Sequence, residues 1–391
     1  MRVLIAFDKF KGSMSARAAC KAAEETILER HPDWECRSAP LTDGGEGFAE
    51  IITEALGGQI VARIATYPDG RHGTAIHGRI RSANITQRLR KILQLPPEGD
   101  LAIVEMAQTA GYGLVTDPEN RDPWKLTTHG VGEQLDQASD KEVSAILMGI
   151  GGSATNDLGC GALEALGLTA FDPEGRKVSP ITPAHWKHIL GFHPFPKTAR
   201  PALRIACDVS HPLHGPDGAA AVFGPQKGLV SHDIPRMQSE MERIGDLLSE
   251  TFGGPEALAR QPGMGAAGGI AFGLSLAWPD TRLIPGFECV ANTLGIDNLL
   301  QWADLVITGE GRFDATSLSG KGPGSILRAA QSKGIPTCVL AGQIEANIRQ
   351  DSGKTGNNVR LVPISDPDIP LNESMRMGIE SIRKSIRQLF P

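Results

Sequence analysis

Carboxylates and cations set among glycines recur at four places in this chain. They are Thr42-Asp43-Gly44-Gly45-Glu46-Gly47, Gly149-Ile150-Gly151-Gly152-Ser153-Ala154-Thr155-Asn156-Asp157, Phe223-Gly224-Pro225-Gln226-Lys227-Gly228 and Thr308-Gly309-Glu310-Gly311-Arg312-Phe313-Asp314. Glycine lets backbone N–H groups approach an anion, while Asp, Glu, Lys and Arg supply metal ligands and phosphate clamps. Three of the four follow, or nearly follow, a stretch that reads as a buried strand. Such loops on one chain point to a polyanionic substrate held by an α/β fold, and so to a nucleotide-using enzyme.

The segment Asp8-Lys9-Phe10-Lys11-Gly12-Ser13 lies after the first strand and before a helix, where open α/β sheets bind ligands. Asp8 and Lys11 are its favoured functional residues, and Lys9 and Lys11 are point charges suited to phosphate or carboxylate. Ser13 reads as a ligand or as a helix cap. Asp43 and Glu46, with Gly44 and Gly45, suit Mg²⁺, which takes one or two carboxylates plus substrate phosphates. The helix dipole alone also favours acids at that position.

Gly151, Gly152, Ser153, Thr155 and Asn156 read as a phosphate cradle entering a helix, with Asp157 as metal ligand or base. The loop carries Ala154 in the sixth position of a dinucleotide fingerprint, which tolerates Ala. Its hydroxyls, amide and carboxylate exceed what a pyrophosphate turn needs. The one Gly-Lys-Thr, at Gly353-Lys354-Thr355, has Ile348 where a Walker loop needs glycine. Asp208 ends another strand, and Lys227 sits in its own glycine loop. Gly309 and Gly311 flank Glu310; Arg312 forks onto an anion, or pairs with Asp314 to stiffen the turn. Lys321 adds a cation nearby in sequence. His129, His211 and His214 have no nucleophile partner and read as surface or structural residues.

Short apolar runs at 2–7, 35–40, 101–106, 143–149, 203–207, 305–308, 336–340 and 359–364 read as strands. Helices fit 13–30, 47–56, 325–333 and 373–389, the first ended by His31-Pro32 and the second by Gly57-Gly58. The parallel rhythm breaks at 59–81, where alternation around Tyr67-Pro68-Asp69-Gly70-Arg71 predicts an antiparallel hairpin. Residues 173–201 read as an irregular connection. The economical division is one α/β domain from 1–58 plus 290–391, with a second domain, 59–289, inserted. No repeat of 20 to 50 residues is visible in the sequence.

The 391 residues favour two domains, and 40% hydrophobic with 21% charged residues is ordinary for a soluble globular protein. A formal charge of -6 argues against nucleic acid as a partner. Six scattered cysteines without a C-x-x-C pair read as buried thiols in a reducing cytosol. The apolar start is cut short by Asp8-Lys9, and 263–278 is too short for a bilayer span. A cytoplasmic protein without membrane attachment is therefore expected.

Taken together these segments resemble the bacterial type 1 glycerate kinase family over nearly the whole chain. The resemblance rests on Ile5-Ala6-Phe7-Asp8-Lys9-Phe10-Lys11-Gly12-Ser13, Asp43-Gly44-Gly45-Glu46-Gly47, Gly151-Gly152-Ser153-Ala154-Thr155-Asn156-Asp157, Ala206-Cys207-Asp208-Val209, the Lys227 loop and Thr308 to Asp314. It implies a two-domain α/β protein with its active site in the cleft. One domain would be a flavodoxin/Rossmann-like parallel sheet built from both chain ends; the other would be a mixed α/β insert. It also implies ATP-dependent phosphorylation of D-glycerate, most directly to 2-phosphoglycerate, with Mg²⁺, by a monomer or homodimer.

On that reading Asp43 or Asp208 is the base, and Lys11 and Arg312 clamp anions. Asp8, Ser13, Gly44, Gly45, Gly151, Gly152, Ser153, Thr155, Asn156, Lys227, Gly309, Gly311 and Asp314 bind substrate or ATP. Glu46, Asp157 and Glu310 face the metal. The chain departs from the family in having Lys9 where serine is usual, and in a longer stretch at 83–100. Two rivals are a dinucleotide-dependent oxidoreductase of a small hydroxy acid, whose ribose acid would have to be Asp172, and a glycerate-binding sensor without turnover.

Overall fold

The computed structural model describes residues 1–115, 121–196, 198–318, 322–346, 348 and 358–391. Its strands are β1 (Arg2–Phe7), β2 (Glu35–Ser38), β3 (Gln59–Thr66), β4 (His72–Ile80), β5 (Asp100–Glu105), β6 (Val143–Gly149) and β7 (Thr169–Phe171), followed by β8 (Lys177–Val178), β9 (Gly191–His193), β10 (Ala202–Ala206), β11 (Thr281–Ile284), β12 (Leu305–Phe313), β13 (Thr337–Ile344) and β14 (Val359–Pro363). The fold is mixed α/β with parallel sheets. It divides into one unit of Met1–Asp43 with Val290–Pro391 and another of Gly44–Cys289.

The unit built from both chain ends carries a five-stranded sheet, ordered β14-β13-β12-β1-β2 and parallel throughout. Val3 to Phe7 are all buried because helices cover both faces, which is why β1 reads as a continuous apolar run. On one face Ala19, Ala23 and Ile27 of the helix Ala16–Arg30 pack with Ile382 and Ile386 of the helix Gly378–Leu389. The spacing i, i+4, i+8 is the apolar stripe of a surface helix. Ser15 caps the first of these helices, its Oγ accepting the Ala18 N–H at 3.2 Å.

Two expectations change here. β12 does not stop at Thr308: it pairs with β13 as far as Phe313 opposite Ile344. Gly309 is what allows it, because a Cβ there would run into the Leu340 carbonyl. The helix expected over 373–389 is broken into Leu371–Arg376 and Gly378–Leu389. Gly378 at the break lies so close to the Ser13 hydroxyl that a side chain would not fit.

The Gly44–Cys289 unit holds a six-stranded sheet, β11-β10-β6-β5-β4-β3. Its first four strands are parallel; β4 and β3 form the expected antiparallel hairpin, with Gln59 opposite Arg79. The long helix Ile234–Phe252 buries Met237, Met241, Ile244 and Leu248 in a core shared with Trp186 and Phe272. Residues 173–201 are not wholly irregular. They supply β8 and β9, which flank β7 in a small antiparallel sheet whose strands are too short to show a period.

Residues 44–58 belong to this unit, not to the chain-end unit expected to hold them. The helix Phe48–Ala55 packs on β4 and β5, and the Glu105 carboxylate at the end of β5 accepts the Gly47 and Ala49 N–H groups at 3.3 and 3.0 Å. The stretch 83–100 is tied down by Arg90, which donates to the carbonyls of Pro96 and Gly99 and to the Ser82 hydroxyl. All six cysteines are free thiols. Among the described residues no helix is long and apolar enough to cross a membrane. The Gly353-Lys354-Thr355 triplet and Lys321 lie outside the described residues.

Candidate active site

In the chain-end unit, three sequence-distant segments meet at the C-terminal ends of β1 and β12. They line a pocket of about 380 Å³ with Asp8, Lys9, Lys11, Ser13, Asp43, Glu310, Gly311 and Arg312. Parallel strands bring this about: Asp8 follows β1 and donates its N–H to the Gly309 carbonyl at 2.9 Å, so the Asp8 loop and the end of β12 share one rim. The far wall comes from Ser374, Met375, Gly378 and Ser381, on the two C-terminal helices. Ser13 donates its hydroxyl to the Met375 carbonyl, a tie between the loop and that wall.

The pocket's charges are mutually adjusted. Lys9 Nζ lies 2.8 Å from Asp43 Oδ1. Asp8 is buried, and its Oδ1 accepts the Lys9 N–H at 2.6 Å. Burial pushes the Asp8 carboxyl up to about 6; Asp43 adds repulsion, and the Lys9 charge works against both. Glu310 is pushed up to about 7, again chiefly by burial, with Asp8, Asp314 and Asp43 adding to it and the Ser317 hydroxyl opposing. Its Oε1 is shielded from solvent without a hydrogen-bond partner. Arg312 Nε is 3.4 Å from Asp314 Oδ2, the turn-stiffening pair; its side chain is 64% exposed and its fork remains accessible to a ligand. Asp314 also caps the short helix Ala315–Leu318, its Oδ1 accepting the Ser317 N–H at 3.3 Å.

Such a set suits an anionic substrate accompanied by a hard cation. Among the described residues no group of three His, Cys, Asp or Glu side chains is arranged to hold a metal by itself. Mg²⁺ does not need one, since phosphates and water complete its shell. The unsatisfied, shielded Glu310 Oε1 fits that role.

The remaining candidates lie in the Gly44–Cys289 unit, where several have structural duties. Gly151 donates to the Gly44 carbonyl at 3.0 Å, and a Cβ at Gly149 or Gly151 would collide with the backbone at Gly44 and Gly45. Two of the supposed cradle's glycines therefore serve a loop-on-loop contact. Gly152 is exposed with φ +73 and Ser153 is half-buried, so this tip stays open to solvent. Glu46 is exposed as well.

Asp157, expected as a metal ligand, is buried and accepts the Thr128 N–H and hydroxyl, both at 2.8 Å, and the Gly159 and Gly161 N–H groups at 3.2 Å. This makes it a clasp between two segments, with both oxygens supplied by the protein. Asp208 likewise accepts the Gly286 N–H at 2.8 Å through Oδ1 and the Phe287 N–H at 2.9 Å through Oδ2. It opens the helix Gly286–Leu294 as a cap, so its candidacy as base weakens. Lys227 is not a surface clamp: it is buried, donates to the Thr155 carbonyl at 2.6 Å, and is pulled down to about 7 by burial. Thr155 and Asn156 are fully buried too, with Thr155 Oγ1 and both polar atoms of the Asn156 amide lacking protein partners.

Sequence reasoning missed Glu105. It is buried, holds the start of the helix Phe48–Ala55, and is pushed up to about 7 chiefly by burial. A lone acid closing the apolar run of β5 is the signal that could have found it.

A family model described as the glycerate kinase family matches residues 3–391. A glycerate kinase from Bacillus subtilis is 32% identical, over 100% of this chain and 97% of its own length. A glycerate kinase from Halalkalibacterium halodurans is 35% identical over 88% of this chain and 85% of its own length. A glycerate 2-kinase from Escherichia coli is 33% identical over 89% and 87%. The crystal structure of a Salmonella typhimurium LT2 protein assigned as glycerate kinase 2 superposes with a TM-score of 0.73 at 32% identity, covering 100% of this chain and 97% of the other.

Proposed function

The chain belongs to the glycerate kinase family, and we propose that it transfers the γ-phosphoryl group of ATP to the 2-hydroxyl of D-glycerate, giving 2-phosphoglycerate and ADP. The observation that carries this reading is the meeting of Asp8, Lys9, Lys11, Asp43, Glu310 and Arg312 on one pocket at the C-terminal ends of parallel strands. The assignment of the 2-hydroxyl is supported by the E. coli relative named glycerate 2-kinase.

Phosphoryl transfer passes through a loose transition state, so positioning and charge neutralisation do most of the catalysis. The new bond joins the glycerate oxygen to the γ-phosphorus; the bond to the β,γ-bridging oxygen breaks, and ADP leaves with that electron pair. Asp43, at the pocket rim, takes the hydroxyl proton. A carboxylate is already a base at neutral pH and needs no unusual tuning for this. Lys11 and Arg312 hold anionic oxygens, and Lys9 keeps Asp43 oriented through their 2.8 Å pair. Glu310 and Asp8 would hold a Mg²⁺ carried in with the nucleotide, which would supply charge neutralisation at the phosphates.

The test is ADP release from ATP, Mg²⁺ and D-glycerate in a coupled assay, with ³¹P NMR of the product. A 2-phosphate product supports the reading; a 3-phosphate corrects its regiochemistry. Absence of turnover from folded protein and fresh nucleotide overturns it.

A further inference from the structure

A second compartment, of about 620 Å³, adjoins the first within the chain-end unit. Both are bounded by Arg312, Gly342, Gln343, Ser365, Leu371 and Ser374, so they form one elongated cavity past the C-terminal ends of β12, β13 and β14. The two ends differ in chemistry. The first carries Lys9 and Lys11 among carboxylates. The second has an apolar wall of Ile344, Pro363, Pro367, Ile369 and Leu371, edged by Glu345 and Asp366. Leu371 is 60% exposed on that wall, and Pro363 and Pro367 are exposed beside it.

An apolar surface left open to water and rimmed by polar groups marks a ligand groove. Glycerate, a three-carbon hydroxy acid, has no apolar face to lay on it and fills a small part of the combined space. A nucleotide has both halves: a flat ring with a polar edge, and a polyanionic tail. Gly311 and Gly342, adjacent on β12 and β13, keep the floor between the compartments free of side chains.

Resting on the kinase reading above, we propose that this double cavity is the nucleotide site and that the chain-end unit supplies it alone. The base ring lies against Pro363, Ile369 and Leu371. Asp366 and Glu345 accept from the ribose hydroxyls or an exocyclic amine, as acidic residues do in other α/β nucleotide sites. Arg312, common to both compartments, holds the polyphosphate, which points toward Lys9 and Lys11.

Titration calorimetry of the full chain, with ADP and separately with inorganic tripolyphosphate, tests this. Leu371→Asp and Ile369→Asp place a charge on the wall; Leu371 is exposed enough for its variant to fold, which thermal unfolding checks. Leu190→Asp, at an equally exposed leucine of the other unit, is the control. ADP affinity is expected to fall at least ~10-fold in Leu371→Asp and stay within about twofold in Leu190→Asp, with tripolyphosphate affinity unmoved by either. ADP affinity within about twofold of the parent in both wall variants overturns the assignment, even if glycerate turnover persists and the kinase reading stands. ADP binding lost in the wall variants of a protein that does not phosphorylate glycerate leaves the site and removes the reading.

Discussion

Lys9 Nζ sits 2.8 Å from Asp43 Oδ1, and both side chains border the pocket that also holds Asp8, Lys11, Glu310 and Arg312. Lys9, where the resemblance implies serine, therefore borders the pocket and pairs with the candidate base. The pair separates Asp43 from Asp208, two carboxylates that look alike in sequence. Asp43→Asn is expected to lower kcat by about 10² to 10⁴, the range for losing a general base. Asp208→Asn is expected to keep kcat within about tenfold and to lower stability by ~1 kcal/mol through the weakened cap. Steady-state kinetics beside urea unfolding checks both; the reverse pattern would make Asp208 the base.

Much of this arrangement is legible in the sequence, but not the assignment of each acid. β1 and β6 announce themselves because a strand covered on both faces is apolar along nearly its whole length, as at Val3–Phe7 and Ala145–Met148. The last residues of β12 do not, because Gly309, Glu310 and Gly311 look like a loop until their pairing with β13 is seen. Asp157, Asp208 and Lys227 are of types that serve as ligands, and Asp157 and Lys227 also lie near glycines. What distinguishes them is their set of backbone partners, which spacing along one chain does not encode.

Arg312 offers a second test, because it is 64% exposed and its pair with Asp314 is worth little to the fold. Arg312→Ala should leave stability within ~0.5 kcal/mol while raising the KM for ATP or lowering kcat by at least ~10-fold. Arg312→Lys should recover only part of the loss, since a point charge does not replace a planar fork. Full recovery by lysine would show that charge alone suffices.

Glu310 and Asp8 set a pH dependence for the protein without ligand. Both carboxyls are raised in the folded state, to about 7 and about 6, from ordinary values near 4 in the unfolded chain. The folded protein thus holds protons that the unfolded chain releases, and stability falls as pH rises from about 4 to 7. Glu310→Gln removes its share, so the drop in Tm between pH 5.5 and 7.5 should be smaller in that variant. An unchanged drop would take Glu310 out of the account.

Lys227 works in the opposite sense. Its amine is lowered to about 7 by burial, so between about 7 and 10.4 the unfolded chain binds the extra proton and stability rises with pH. Lys227→Met should flatten that rise in thermal unfolding between pH 7 and 9.5, and its cost should be largest at alkaline pH, where the native amine is neutral. An undiminished rise in the variant would place the effect elsewhere.

The central strand of the chain-end sheet has a temporal consequence. β1 lies between β2 and β12, and the residue opposite Val3 on the β12 side is Leu305. During synthesis β1 and β2 leave the ribosome with one edge of β1 still unpaired, and that edge waits while the whole of Gly44–Cys289 is made. The inserted unit has all its strands in hand long before the first unit does. Vectorial folding therefore runs from the middle of the chain outward, and the exposed apolar edge of β1 is the surface that a chaperone would have to shield in the interval.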